Sequence, residues 1–287
     1  MTTEDFYNDE TVSLHVNDEF VKVRQQGYSV ELGDTISKGW DFMKPHIGSL
    51  IGFLIVAFII SIIFGVILTF TVSLVPYVGQ YISQIISGAF SSVLMAGFYY
   101  YFTKEYKDGY ATFSDFFESF QDAATLIVSG LLTSIITYAP LFIVGLVISI
   151  FVGAGNYANI TDPSEIFQTI FAGGVGIAIF VGGIMSGLIA ILYTFTIPII
   201  ATNSNMGAWQ AMEISRKLVS ANYLGVLGFI IILFLLNVVG AMCCLVGLFI
   251  TGPLTYASTF ILYTKLVEKN GAGEFFYGDE KAPLDAI

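Results

Sequence analysis

Six long apolar runs restrict most strongly what this chain can fold into. They cover residues 47–75, 81–102, 124–152, 166–200, 224–242 and 245–266. A helix needs roughly 20 apolar residues to cross a hydrocarbon core about 30 Å thick, and each run is near or above that length. Hydrocarbon cannot hydrogen-bond a free backbone N–H or C=O, so we expect each run to be helical throughout. With 55% hydrophobic and 11% charged residues, the chain has more apolar surface than one soluble core could bury, and the sequence predicts an all-α integral membrane protein.

Basic side chains orient these runs in the membrane. Lys and Arg stand at positions 22, 24, 38, 44, 104, 107, 216, 217, 265, 269 and 281. The linkers 76–80, 153–165 and 241–244 contain no basic residue. Because short basic loops are retained in the cytoplasm, we expect the basic segments and both termini on the cytoplasmic side and the three other linkers outside.

The same charges predict the number of crossings. Between the linker 153–165 and Arg216 the chain must cross an odd number of times, so the run 166–200 is expected to be one long helix, tilted or kinked, that Pro198 can bend. Between Arg216 and Lys265 the number must be even, so the last two runs form a pair of crossings. The prediction is six transmembrane helices arranged as three hairpins.

A short amphipathic segment precedes the first, third and fifth runs, and we call these three segments elbows. Their apolar faces at helical spacing comprise Ile36, Trp40, Met43 and Ile47 after an expected N-cap at Asp34; Phe113, Phe116, Phe117 and Phe120 behind Thr112; and Ala208, Ala211, Met212, Ser215 and Val219. We expect each elbow to lie at the cytoplasmic interface and to pack against its own hairpin. A face that docks a partner protein is the alternative.

An elbow, a crossing and a return crossing form a unit that occurs three times, over residues 34–111, 112–205 and 206–270. Repeats of this kind usually stack about a common axis. The alternative is that any membrane protein built from hairpins has interfacial elbows. Acidic cytoplasmic tails, residues 1–33 and 271–287, flank the membrane domain, and whether they are ordered stays open.

Aromatic residues mark the cytoplasmic ends of the second and sixth runs. Residues 98–102 read Phe-Tyr-Tyr-Tyr-Phe just before Lys104, and Tyr263 stands beside Lys265. Tyr rings prefer the headgroup level of a bilayer, with Lys side chains reaching beyond them to water. We therefore expect both groups of aromatic residues to anchor helix ends at the interface.

Few polar side chains lie deep in the runs. Asn237 is the one strong amide there, and we expect it to face another helix, where an interhelical hydrogen bond contributes roughly 0.6 to 2 kcal/mol. Together with Thr133, Thr137 and Ser186 it forms a candidate polar lining of a substrate path near the midplane. Hydrogen bonding that only holds helices together is the alternative.

Small residues recur at four-residue spacing, as at Gly88 and Ser92 and at Gly183 and Gly187. This spacing lets helix backbones approach closely, so we interpret it as helix packing. Prolines in the runs are interpreted as kinks, or alternatively as the broken helices that form substrate sites in some transporters.

The distribution of ionisable residues argues against several classes of function. Ionisable groups inside a membrane mark proton relays, ion sites and catalysis, and the runs lack them once their interfacial ends are set aside. The two histidines, His15 and His46, and the adjacent Cys243 and Cys244 cannot assemble a standard zinc site. We expect no enzymatic activity, no cofactor and no metal, and the net charge of −11 argues against nucleic acid.

Three short motifs resemble those of a known family. They are the stretch 34–44 leading into Gly48, the stretch 209–217 before the fifth run, and Gly252-Pro-Leu-Thr with Leu262-Tyr-Thr-Lys-Leu in the sixth. Over about residues 30 to 268 the chain resembles an uncharacterised six-helix family of bacterial membrane proteins, similar to the membrane domain attached to some glycerophosphodiester phosphodiesterases. The resemblance implies six helices in a bacterial cytoplasmic membrane and no agreed activity. Nothing outside the helices is large enough for a catalytic domain, so phosphodiesterase chemistry is not expected.

Two functions remain open at this point. The first is a non-enzymatic scaffold or accessory protein that acts through helix contacts and elbows, with a protein partner or a second copy of the chain. The second is a transporter or carrier of an apolar or zwitterionic, lipid-like substrate, because no fixed charge inside the membrane would meet an ion. Membrane lipids are partners in either case.

Overall fold

The computed structural model describes residues 31–72, 79–154, 175–203, 206–243 and 246–269. All regular structure within these ranges is helical: α1 (Leu32–Met43), a 3-10 turn (Lys44–His46), α2 (Ile47–Val72), α3 (Gly79–Asp108), a 3-10 helix (Phe113–Phe120), α4 (Ala123–Ala154), α5 (Val175–Ile191), α6 (Thr196–Thr202), α7 (Ala208–Ala221), α8 (Tyr223–Met242) and α9 (Leu248–Lys269). The all-α prediction is confirmed. The predicted tails and the linkers 76–80 and 153–165 lie wholly or mostly outside the described residues.

Four helical segments in the described part of the chain are long and apolar enough to cross a membrane, judged by length and composition. They are Leu32–Phe70, Ala123–Val147, Gly176–Thr202 and Tyr223–Met242. These segments cover most of the first, third and fourth apolar runs and all of the fifth, and they support the assignment to a membrane. The second and sixth runs are also helical, in α3 and α9, but these two helices carry more Tyr, Thr and Ser.

The helices α3, α6 and α9 meet at the centre of the structure. The ring of Phe98 in α3 stacks on that of Tyr256 in α9, with centroids 4.7 Å apart. The Thr202 hydroxyl of α6 lies 2.9 Å from the Tyr263 hydroxyl of α9. Lys107 Nζ of α3 donates a hydrogen bond to the Thr202 carbonyl oxygen, 3.2 Å away. The three helices therefore contact one another directly.

The prediction that residues 98–102 and Tyr263 anchor helix ends in the headgroup layer is wrong. All six side chains are at most 8% exposed and pack against protein. The physical reason is that α3 and α9 are surrounded by other helices, and the elbows cover their ends near Lys104 and Lys265. Tyr101, for example, stacks on Phe116 of the second elbow, with ring centroids 4.2 Å apart.

The elbows form as helices but do not pack mainly on their own hairpins. The first elbow, α1, packs on α9; the second, Phe113–Phe120, packs on α3; the third, α7, packs on α6 and α4. The prediction of packing on the own hairpin is therefore wrong. Each elbow contacts the helix that ends the preceding unit, and the first elbow contacts the helix that ends the last unit.

Small residues explain the close approach at two of these joints. A Cβ atom built on Gly97 in α3 would overlap the Phe116 carbonyl oxygen of the second elbow. A Cβ atom built on Gly39 in α1 would lie 2.5 Å from Ser258 Oγ and 2.8 Å from Ser258 Cα in α9. Any side chain at either glycine would push the elbow away from its helix.

Local signals set several helix ends. Thr112 is the N-cap of the second elbow, and its side chain and that of Asp115 form a capping box. Gly109, at φ 73°, follows the last residue of α3 in the left-handed conformation that favours glycine. The expected N-cap at Asp34 is wrong, because α1 begins at Leu32 with Glu31 at the N-cap, which places Asp34 in the first turn.

The fourth apolar run is bent, but not at Pro198. The break lies between α5 and α6, over residues 192–195, and Pro198 lies within the first turn of α6. Ser215 of the third elbow bonds to this break: its hydroxyl donates to the Leu192 carbonyl oxygen at 2.9 Å and accepts from the Phe195 N–H at 3.1 Å. The bend is therefore supported by a side chain from another unit, which the local sequence of the run does not show.

Candidate functional site

A cavity of about 540 Å³ lies between α3 and α4, and we call it the α3–α4 groove. It is lined by Gly88, Ala89 and Ser92 from α3 and by Gly130, Leu131, Ser134 and Tyr138 from α4. Ser134 and Tyr138 are exposed, Tyr138 by 60%, so the groove opens to the outside of the helix bundle. It is lined by small residues and hydroxyl groups, and none of these lining residues is charged.

Two glycines determine the shape of the groove. A Cβ atom on Gly130 would lie 3.1 Å from Ser92 Oγ, so the helices are close at this point. A Cβ atom on Gly88 would have nothing within 4 Å, so the space beside Gly88 is open. Ser92 Oγ donates to the Ala89 carbonyl oxygen of its own helix, 2.8 Å away.

The sequence contains a signal for this groove. The four-residue spacing of Gly88 and Ser92 predicts helix packing. On α4, Gly130, Ser134 and Tyr138 follow the same spacing and share one helix face. Two such faces on neighbouring helices predict a joint lined by small and hydroxyl residues, but the spacing alone does not show whether the joint is closed or open.

The candidate midplane residues lie in two other seams between helices. Asn237 in α8 donates from Nδ2 to Thr255 Oγ1 in α9 at 2.7 Å and to the Leu233 carbonyl oxygen at 2.8 Å. The expectation that Asn237 faces another helix is confirmed. Its amide is used in holding α8 against α9.

Thr137 and Ser186 lie along the seam between α4 and α5. These helices are close at Gly182, where a Cβ atom would lie 3.4 Å from Leu141 Cδ1. Thr137 precedes Leu141 by one helical turn, and Ser186 follows Gly182 by one turn. Both side chains are buried, and neither hydroxyl has a hydrogen-bond partner among the described residues. Thr133, one turn before Thr137, is half-buried. None of these three residues lines the α3–α4 groove.

Ion pairs join the elbows to the central helices. Lys104 Nζ in α3 lies 2.8 Å from Asp115 Oδ1 and 2.8 Å from Glu118 Oε1, both in the second elbow. Burial opposes the charge of Asp115, but hydrogen bonds from Lys104 and Thr112 outweigh it and lower the pKa of its carboxyl group. The hydrogen bonds to Asp115 and Glu118 raise the pKa of Lys104. The Lys104 ammonium and the Asp115 carboxylate are therefore both charged at neutral pH.

A similar ion pair and a histidine bridge stand at the first elbow. Lys265 Nζ in α9 lies 2.6 Å from Asp34 Oδ2 in α1. His46, just after α1, contacts α3 through both ring nitrogens: Nδ1 lies 3.0 Å from the Tyr101 hydroxyl and Nε2 lies 3.3 Å from Glu105 Oε1. These contacts connect the first elbow to two central helices.

Among the described residues, no group of three or more His, Cys, Asp or Glu side chains is placed to hold a metal ion. The structure thus brings together ion pairs that join the first and second elbows to α9 and α3, and an uncharged groove between α3 and α4. A comparison of this chain with protein-family models, curated proteins and solved structures found no match. The resemblance to the six-helix bacterial family stays a prediction.

Proposed function

We propose that the chain crosses a bacterial cytoplasmic membrane six times, in three hairpins, with the elbows and both termini in the cytoplasm. The two crossings beyond the four apolar segments are α3, with 30 residues, and α9, with 22 residues. At 1.5 Å per residue these helices are about 45 Å and 33 Å long, enough for a core of about 30 Å. The bacterial setting rests on the family resemblance alone.

The burial of α3 and α9 supports their assignment as crossings. From residue 93 to 103 of α3 every side chain except Met95 is buried, and from 257 to 264 of α9 every one is buried. A helix in the middle of a bundle contacts protein rather than lipid, so it tolerates Tyr, Thr and Ser that a lipid-facing helix does not. Their lower hydropathy is therefore what a central crossing helix is expected to have.

Within this membrane domain, we propose that the protein is a non-enzymatic scaffold or accessory protein. The observation that carries the proposal is that all three elbows are bound to helices of a neighbouring unit, two of them by ion pairs, which gives the cytoplasmic end a fixed surface. On that surface the third elbow presents Trp209, which is 64% exposed, and, two helical turns further along the same helix, Arg216, 47% exposed in its side chain. Exposed Trp and Arg are the residue types enriched where proteins bind one another.

A quantitative purification tests the scaffold proposal. The chain is purified from its native membranes after mild crosslinking, and the expected result is a complex of fixed stoichiometry with a partner protein or a second copy. Trp209→Ala should reduce recovery of the complex, whereas Phe234→Ala, which changes a side chain 65% exposed on α8, should not. Recovery of monomer only, or equal loss with both variants, would contradict the proposal.

A second candidate function is a carrier of a lipid-like, uncharged or zwitterionic substrate. The observation that favours it is the break in a crossing helix at residues 192–195, since broken helices form substrate sites in some transporters. A reconstituted assay of lipid movement between vesicle leaflets tests this candidate. It predicts that the chain accelerates movement, and no acceleration over protein-free vesicles would rule it out.

A further inference from the structure

The α3–α4 groove lies near the middle of the bilayer if α3 crosses it as proposed. Ser92 stands 12 residues before Lys104, or about 18 Å along α3 at 1.5 Å per residue. Ser134 stands 11 residues after Ala123, or about 17 Å along α4. Both distances are more than half of a hydrocarbon core about 30 Å thick. The molecules that reach an open groove at this depth are lipids.

The groove offers hydroxyl groups at a depth where water is absent. The hydroxyl groups of Ser134 and Tyr138 form no hydrogen bond within the described part of the chain, and the Tyr138 side chain is 60% exposed. A hydroxyl group in hydrocarbon without a partner is costly. A ligand that places an acceptor oxygen beside these two groups would remove that cost.

The lining of the groove also restricts the charge of such a ligand. None of its seven lining residues is charged, and Lys104, about 18 Å along α3, is already bound to Asp115 and Glu118. A phosphate or ammonium group in the groove would be buried without a counter-charge. The volume of about 540 Å³ is within the roughly 300 to 1,000 Å³ of ordinary small-molecule sites.

We infer that the α3–α4 groove is a binding site for a neutral lipid, meaning a hydrocarbon body that carries an uncharged acceptor oxygen. Ser134 and Tyr138 donate hydrogen bonds to that oxygen, and Gly88 leaves the space for the hydrocarbon. A diacylglycerol, through an ester carbonyl, and an isoprenoid quinone, through a ring carbonyl, share this chemistry. The site depends on the proposed crossing of α3, but it requires neither transport nor a protein partner.

Photocrosslinking in nanodiscs tests the site. The full chain is placed in phosphatidylcholine nanodiscs with one of three diazirine-bearing probes: a diacylglycerol, an isoprenoid quinone or a phosphatidylglycerol. Peptide mapping by mass spectrometry then shows where each probe attaches. We expect a neutral probe to label the peptides that contain Ser92 or Ser134, and the charged phosphatidylglycerol to label them at least about tenfold less, a ratio that corresponds to 1.4 kcal/mol. The probe that labels identifies the source of the oxygen.

Two variants and a matched control separate groove binding from general lipid contact. Gly88→Leu fills open space and should reduce labelling about tenfold or more. Tyr138→Phe removes one hydrogen bond and should reduce it about 2- to 10-fold. Gly145→Leu adds the same side chain at an open position of α4 outside the groove and should leave labelling unchanged.

The inference is overturned if neither neutral probe labels the groove, if phosphatidylglycerol labels it equally, or if Gly88→Leu and Gly145→Leu behave alike. Accessibility labelling at the two ends of α3 measures its crossing independently. If α3 crosses and the groove is not labelled, the lipid site alone fails. If α3 does not cross, the proposed topology fails with it.

Discussion

Replacing Gly97 by alanine should detach the second elbow from α3. The added methyl group would overlap the Phe116 carbonyl oxygen and would lie 2.9 Å from Phe53 Cζ. Forcing a methyl group into packed structure costs roughly 1 to 3 kcal/mol. The upper end applies here, because the obstacle is a backbone carbonyl in a segment fixed by the Thr112 capping box rather than the end of a flexible side chain.

An opposing gain must be subtracted from this cost. Alanine in a helix interior is up to about 1 kcal/mol more favourable than glycine. The net destabilisation of the docked elbow is therefore about 2 kcal/mol, which multiplies the undocked fraction by roughly 30 at 1.4 kcal/mol per factor of ten. The variant Gly65→Ala is the control, since a Cβ atom on Gly65 in α2 meets nothing within 4 Å and only the helix gain applies.

Cysteine labelling measures this opening. Ser119 in the second elbow is fully buried, so a Ser119→Cys reporter, in a chain with Cys243 and Cys244 replaced by serine, should react slowly with a maleimide. Gly97→Ala should raise the rate roughly 30-fold, and Gly65→Ala should leave it unchanged. A rate that is unchanged or lower in Gly97→Ala would refute the close contact between α3 and the second elbow.

The other contacts give further predictions. Lys104→Met should destabilise the second elbow by about 1.5 to 3 kcal/mol in the same labelling assay, because it removes charged hydrogen bonds to two carboxylates, and wild-type rates would contradict this. Docking of the second elbow lowers the pKa of Asp115, so the undocked state binds a proton on Asp115 at a higher pH than the docked state does. Docking should therefore be stable above the ordinary pKa range of a carboxyl group and should weaken as the pH falls through and below that range. Asp115→Asn should abolish this part of the pH dependence, which is measured by the labelling rate of the Ser119→Cys reporter against pH. Asn237→Leu and Thr255→Val should each lower the stability of the α8–α9 pair by roughly 0.6 to 2 kcal/mol, measured by thermal unfolding in detergent. The double variant should lose less stability than the sum of the two single losses. Fully additive losses would contradict a hydrogen bond between the two side chains.

The helical elements were predictable because each is specified by nearby residues. Hydrophobic length identified the helices of all six runs, and the spacing of Phe113, Phe116 and Phe120 identified the second elbow with Thr112 at its start. Asn237 was expected to bond to a neighbouring helix for a similar local reason, since an amide in an apolar run has few other partners. The partner, Thr255, lies 18 residues away in a different helix, and spacing along the run does not identify it.

What the sequence did not show depends on tertiary packing. Residues 98–102 have the composition of an interfacial anchor, and only tertiary packing makes them core residues. Phe98, Tyr99, Tyr101 and Phe102 pack in one cluster with α9 and the second elbow, and Tyr100 packs in the other core cluster. The elbows were amphipathic, but amphipathicity does not say which helix covers the apolar face. The groove escaped prediction for the same reason: Gly88 and Gly130 look alike in sequence, yet one faces open space and the other touches Ser92.

The sidedness of the two ends of α3 is the decisive measurement for the six-crossing topology. Single cysteines replace Gln80, near the start of α3, and Gly109, just after its end, in a chain without Cys243 and Cys244. A membrane-impermeant maleimide is then applied to intact cells and to inside-out vesicles. We expect the cysteine at position 80 to react only in cells and the one at position 109 only in vesicles. Reaction of both from the same side would show that α3 does not cross, and would contradict six crossings, the central position of α3 in the membrane and the depth of the α3–α4 groove together.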